Sequence, residues 1–318
     1  MRDWLASLRR HPRARQQQPP HALLPDPAIG ELAARLAVLR RKLQRALPAR
    51  DSGTAATVRT LLRLELRLVQ PYRIAIMGEF NTGKSTVANL LIGKSLMPTA
   101  AVSNTCVPTL IRHAPVPSLI AVCGDGQKLT LHKDALPDMD AVTRLDVGLP
   151  VDGLRVMEIA DFPGISDPLV QPQALDATRL GIDAAIWCTL ATQAWRDSER
   201  VAWLTLPARI RQNGLLIATN KDLLRAGDEG KVLSRLRHLA GTLFEEIVLL
   251  ATPHALSARD TKLPEAERAA IQQTSGAATL EGHIEAMLQS LAKRRIAFIS
   301  DAAERAAERA LQRLKDDA

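Results

Sequence analysis

Gly78-Glu79-Phe80-Asn81-Thr82-Gly83-Lys84-Ser85 decides how this chain is read. The stretch fits G-x-x-x-x-G-K-[ST], and its surroundings agree: Tyr72–Met77 before it has the apolar texture of a strand, and Val87–Ile92 after it reads as a helix. Glycines let such a loop curl so that its backbone N–H groups converge on phosphate oxygens. The start of the following helix adds positive potential at the same place. Gly78 through Thr86 are therefore the expected cradle for the phosphates of a nucleotide. Lys84 is expected to bridge the β- and γ-phosphates, and the Ser85 hydroxyl to ligate Mg²⁺.

Other motifs line up downstream. Asp161-Phe162-Pro163-Gly164 closes an apolar segment, Leu154–Ala160. At a strand end Asp161 is placed to hold Mg²⁺, and the Gly164 N–H to meet a γ-phosphate. The loop Met97–Thr105 lies between the two motifs; a hydroxyl from it is expected to close over metal and phosphate. Thr105 is the first candidate, with Thr99 and Thr109 as rivals. Gly214–Thr219 reads as a strand running into Asn220-Lys221-Asp222. A carboxylate there accepts well from guanine N1–H and the exocyclic amine. In the pattern [NT]-K-x-D, Thr219 and Asp222 fit the outer positions while Asn220 takes the lysine slot; starting at Asn220-Lys221 brings the Asp one residue early. Asp222 is the expected base reader in either register. Ser257-Ala258-Arg259 is a weaker candidate for base support.

Strand and helix textures alternate through the middle of the chain. Tyr72–Met77, Leu154–Ala160, Asp183–Leu190, Gly214–Thr219 and Glu246–Ala251 are strand candidates, with Thr109–His113 and Leu119–Cys123 as an antiparallel edge. Helical segments between the later strands predict a mostly parallel sheet with crossover helices, hence an α/β three-layer P-loop domain. Upstream, Leu32, Leu36, Leu39, Leu43 and Ala46 recur in steps of four and three, a helical seam. A second helix is expected over about Thr54–Val69. From about Glu281 one long helix carries Ile284, Leu288, Leu291, Ile299, Ala302, Ala306 and Leu314. The expected organisation is a basic arm (1–27), N-terminal neck helices (28–70), the nucleotide-binding domain (71–280) and a C-terminal neck helix (281–318).

Composition narrows the classes. Apolar residues are 46% of the 318, enough for a globular core. Aromatics at 3% are too few for modules that stack single-stranded bases, which makes nucleic acid the less favoured partner. The cysteines Cys106, Cys123 and Cys188 have no paired or metal-ligand spacing and read as reduced cytosolic thiols. No apolar run is long enough to span a bilayer, so the expected location is the cytoplasm or the surface of a membrane. Residues 1–50 hold 11 basic and three acidic side chains, and the 31 of each kind that follow cancel; the whole net charge of +8 thus precedes Asp51. Such an arm, with Trp4, Leu5 and Leu8 on one side, suits an anionic membrane surface or nucleic acid.

The loop Gly78–Thr86, the downstream Leu96-Met97-Pro98-Thr99, the Asp-Phe-Pro-Gly and Ala191-Thr192-Gln193-Ala194-Trp195-Arg196-Asp197-Ser198-Glu199 resemble bacterial dynamin-like GTPases. The resemblance covers about Pro71 to Arg259. It implies GTP and GDP as ligands, Mg²⁺, hydrolysis of GTP when two such domains meet as a homodimer, and action on membranes. Two positions depart from the dynamin pattern: Phe80 and Ile165 supply no side-chain amide to orient an attacking water. Asn81 resembles the Asn of potassium-activated GTPases, which makes K⁺ a further candidate ligand and Asn81 a catalytic candidate beside Lys84 and Thr105. Two alternatives stand: a ribosome- or RNA-associated GTPase, and a nucleotide-gated scaffold that hydrolyses little.

Overall fold

The computed structural model describes residues 27–46, 52–93, 107–131, 141–165, 176–193, 195–259 and 263–316. The basic arm, Thr99 and Thr105 lie outside these residues. Two compact units divide the chain, one running from Tyr72 to Glu285 and one made of helices that precede and follow it.

The first unit is built on a sheet that, among the described residues, has nine strands: β1 (Tyr72–Gly78), β2 (Thr109–His113), β3 (Ser118–Cys123), β4 (Lys128–Thr130), β5 (Val142–Leu149), β6 (Met157–Asp161), β7 (Ala184–Leu190), β8 (Leu215–Thr219) and β9 (Glu246–Leu249). Their order is β4-β3-β5-β2-β6-β1-β7-β8-β9. From β6 to β9 every pairing is parallel, and the mostly apolar, mostly buried runs of β1, β7 and β8 suit strands covered on both faces. The other flank is mixed: β2 runs antiparallel to β6 and parallel to β5, while β3 is antiparallel to both β5 and β4.

This flank corrects the sequence reading. Thr109–His113 and Leu119–Cys123 do not pair with each other, because β5 lies between them. Its charged Arg144 and Asp146 mask an alternation of Leu145, Val147 and Leu149, all buried. The charges find each other: Asp146, 1% exposed at its side chain, pairs with Arg144 at 2.8 Å and with Arg112 at 3.3 Å. The segment Leu154–Ala160 also begins differently. Asp152–Arg155 forms a 3₁₀ turn, and β6 starts at Met157.

Most of the chain's aromatic residues gather in this unit. Trp187, Trp195, Trp203 and Phe244 pack mostly edge to face, with neighbouring ring centroids 4.3 to 6.1 Å apart. Such contacts add to the burial of large apolar surfaces.

The second unit contains α1 (Pro27–Ala46), α2 (Ser52–Val69) and the later part of the long helix Ala277–Asp316. Leu32, Leu36 and Leu43 of α1 meet Leu61, Leu64 and Leu68 of α2, and Ile299, Ala303, Ala306 and Ala310 of the long helix. The buried small residue there is Ala303, one position on from the expected Ala302, because the seam after Ile299 advances by four, three and four. Arg40 and Glu65 tie α1 to α2 at 2.9 Å. No helix among the described residues is long and apolar enough to cross a membrane.

Candidate functional site

Strand β1 ends at Gly78, where the chain leaves the sheet with φ 144°. A Cβ there would lie 2.2 Å from the carbonyl oxygen of Cys188 on β7, so only glycine permits the exit. The loop then turns through Asn81 at φ 60° and Gly83 at φ 79° into α3 (Lys84–Ile92). Asn81 is exposed and occupies the left-handed region that asparagine tolerates better than most residues. Thr82 and Lys84 are buried. Both reach back to one acceptor: the Glu79 carbonyl takes the Lys84 ammonium at 2.6 Å and the Thr82 hydroxyl at 2.8 Å. The loop is thus closed on itself, with its cation stationed at the helix N-terminus.

Asp161 ends β6 beside this helix. The Ser85 hydroxyl donates to its Oδ2 at 2.7 Å, while Oδ1 is buried without a partner among the described residues. Burial pushes the Asp161 carboxyl up to about 6, against the opposing pull of Ser85 and of the Lys84 charge. A buried carboxylate with a spare oxygen beside a serine hydroxyl is a hard-oxygen donor pair short of positive charge, and it fits Mg²⁺. Thr109 is the residue of β2 directly opposite Asp161, and its buried hydroxyl also lacks a partner among the described residues. As a strand residue it stands apart from the loop Met97–Thr105 with which the sequence grouped it.

The Asp-Phe-Pro-Gly turn lies against the loop. A Cβ on Gly164 would come within 2.8 Å of Phe80 Cα and 2.9 Å of its nitrogen, so backbone touches backbone only because the residue is glycine. Phe80 itself is 47% exposed, and Ile165 packs toward the apolar core. Neither offers a side-chain amide to a water.

At the far end of the site, Thr219 is fully buried. Its hydroxyl contacts the carbonyls of Thr82 at 2.8 Å and Thr189 at 3.1 Å, bracing the phosphate loop against the sheet. Asn220 follows in the left-handed region, Lys221 is drawn aside to Glu229 at 2.9 Å and to the Thr274 carbonyl at 2.8 Å, and Asp222 is exposed. Ser257 ends a short helix with its hydroxyl on the His254 carbonyl, and Arg259 pairs with Glu281 at 3.4 Å.

One tie has no counterpart in the motif reading. The Glu79 carboxylate, 11% exposed, receives Arg196 at 2.8 Å and the Ser198 hydroxyl at 2.6 Å. Both donors come from the segment after β7. Glu199 anchors that segment by accepting from the Arg196 backbone N–H, the Trp187 indole and the Thr189 hydroxyl. Only the Arg196-x-x-Glu199 spacing at the start of a helix hinted at it, since Glu at N3 commonly turns back to the cap.

Sheet and loop together define the class: an α/β P-loop nucleotide-binding fold. Residues 74–144 match the model of the dynamin family. Dynamin-like protein 2 of Campylobacter jejuni is 28% identical over 206 residues, which are 61% of this chain and 33% of that protein. The isoniazid-induced protein IniC of Mycobacterium tuberculosis is 33% identical over 113 residues, 33% of this chain and 23% of that one. Among solved structures, an oligomerised bacterial dynamin pair said to sense and tether membranes at long range aligns over 94% of this chain and 58% of its own, with TM-score 0.64 and 15% identity; that likeness is one of fold. The chain is thus similar to bacterial dynamin-like proteins, and it spans about a third of the length of the first of them.

Proposed function

We propose that the protein binds guanine nucleotide together with Mg²⁺ and hydrolyses GTP at its terminal phosphoanhydride. The observation that carries this reading is the Ser85–Asp161 pair with its unpartnered buried oxygen, set beside a loop whose lysine is already stationed for phosphate. Lys84 and the loop amides neutralise and orient phosphate oxygens. Ser85, Asp161 and a hydroxyl from the loop Met97–Thr105, with Thr105 first, would hold the metal, which would supply charge stabilisation at the reacting phosphoryl group. Gly164 brings its N–H toward the γ-phosphate, and Asp222 selects guanine. The site residues contain no evident general base, so positioning and charge neutralisation carry the rate.

An isolated copy hydrolyses slowly in this reading, because Phe80 and Ile165 leave the attacking water without a side-chain amide. A second copy facing the nucleotide would supply the missing groups, and Asn81 would hold K⁺, whose chemistry there would be further positive charge. The basic arm before Asp51 would bring the assembly to an anionic bilayer. The membrane tethering described for the dynamin pair supports this part of the reading.

The test is phosphate release from GTP and from ATP, with Mg²⁺ or with EDTA, over a hundredfold range of protein concentration. GTP-selective, Mg²⁺-dependent turnover per molecule that rises with concentration is expected. Equal use of ATP would overturn the guanine assignment, and a flat concentration profile would overturn activation by pairing.

A further inference from the structure

A carboxylate is an awkward neighbour for a loop built to attract anions. Glu79 is the second residue of that loop, and burial gives its charge little screening by water. The protein answers with two donors from far along the chain: Arg196, 117 residues away, and Ser198. Arg196 is held in place. Trp195 before it is in the left-handed region at φ 55°, a costly conformation for a bulky residue. Its indole is 7% exposed and packs edge-on against Trp187 and Phe244. On the other side Glu199 fixes the Arg196 backbone, and Gln193 accepts from the same guanidinium.

The geometry points to Arg196 as a positioning residue of the phosphate-binding loop. Acting through Glu79, it cancels the loop's one carboxylate and fixes the residue whose carbonyl holds Lys84. Glu79 thus has two functions joined by a few bonds: its side chain is clamped by Arg196 and Ser198, and its carbonyl carries the ammonium at 2.6 Å. If the clamp is lost, a buried negative charge faces the phosphates and the lysine's seat is free to turn. Repulsion from that charge grows with the charge on the ligand, so a triphosphate suffers more than a diphosphate. Restraint of the loop alone would affect both nucleotides alike.

This inference rests on the nucleotide-binding reading, and equilibrium binding separates the two. A non-hydrolysable GTP analogue and GDP are titrated, both with Mg²⁺, into the native chain, Arg196→Ala, Arg196→Lys, Glu79→Gln and Arg196→Ala/Glu79→Gln. Arg196→Ala is expected to weaken the triphosphate about thirtyfold and GDP about fivefold, an estimate from the scaling of charge interactions. Arg196→Lys restores most of the loss, since it keeps the charge. The double variant binds close to Glu79→Gln alone, because no unpaired carboxylate remains. Native affinity in Arg196→Ala overturns the proposal, as does an equal loss for both nucleotides that Glu79→Gln fails to rescue. Should Arg196→Ala not fold, the conservative lysine variant and Glu79→Gln still decide: Glu79→Gln is to bind the triphosphate at least as tightly as GDP relative to the native chain, and the opposite order is a refutation. A native chain that binds neither nucleotide sinks the nucleotide reading itself, a different outcome from native binding that is indifferent to Arg196.

Discussion

The two ends of the candidate site are built on opposite plans. At the phosphate end Thr82, Lys84 and Asp161 are all buried; the loop holds its own lysine through the Glu79 carbonyl, and the sheet holds the loop through Asp161 and Thr219. At the base end Asp222 is exposed, Leu223 beside it is 65% exposed, and Lys221 is turned toward Glu229 and the Thr274 carbonyl. Charges under cover act at low dielectric and need no rearrangement to receive a ligand, whereas an exposed carboxylate acquires its strength only when the ligand excludes water around it. The phosphate end is therefore expected to govern affinity, and the base end identity.

The largest effect that would break this contrast comes from Lys84→Ala. Removing the stationed cation is expected to reduce GTP affinity by about a thousandfold while leaving thermal unfolding almost unchanged, since the charge serves the ligand and not the core. Calorimetric titration beside a melting curve checks it; native affinity in that variant would remove the distinction between the ends.

Next is Asp161→Asn, where binding and stability part company. The native state holds the Asp161 proton up to about pH 6, whereas the unfolded chain releases it near 3.8. Between those values the folded chain binds more protons, so metal-free stability falls as pH rises. The asparagine variant escapes that loss. In EDTA at pH 7.5 it is expected to be more stable than the native chain by up to about 3 kcal/mol, an advantage that vanishes below about pH 4. With Mg²⁺ and nucleotide the order should reverse. Urea unfolding at the two pH values reads both signs.

The base end is tested by Asp222→Ala. Two charge-assisted bonds to the base are worth about 3 kcal/mol together, so the preference for GTP over ATP, about a hundredfold, should disappear while affinity for ATP stays put. Competition between the two nucleotides measures it. Smallest is the response to the monovalent cation: exchanging sodium for potassium should raise turnover about threefold in the native chain and leave Asn81→Ala unmoved. A potassium response that survives in Asn81→Ala would detach the cation from this loop.

What the sequence revealed follows the same division. Gly78, Gly83, Lys84 and Ser85 are legible because the chemistry of a phosphate cradle is local, one strand, one turn and one helix. The parallel half of the sheet was legible too, since β1, β7 and β8 are mostly apolar. Val142–Leu149 escaped because its charges are satisfied by Arg112 and Arg144 rather than by water, which period-two patterning cannot foresee. The arrangement at Glu79 was beyond reach for another reason. Its partners lie 117 and 119 residues away, and nothing in Glu-Phe-Asn announces an arginine from a different loop. Thr219 shows the intermediate case: the sequence offered it as one possible start of the base-reading motif, and in the structure its hydroxyl braces the loop through the Thr82 carbonyl.

The knot of aromatic rings beneath the Arg196 segment also gives this protein a built-in optical gauge. Three of its four tryptophans belong to the knot, with Trp187 in ring contact with both of the others, and the fourth, Trp4, is remote in sequence. Rings this close exchange excitation energy, so their emission behaves as that of one chromophore whose colour and polarisation depend on the tilt of Trp195. Because Trp195 directly precedes the arginine that holds Glu79, any shift of the phosphate loop would be written into the intrinsic ultraviolet fluorescence, with no label attached.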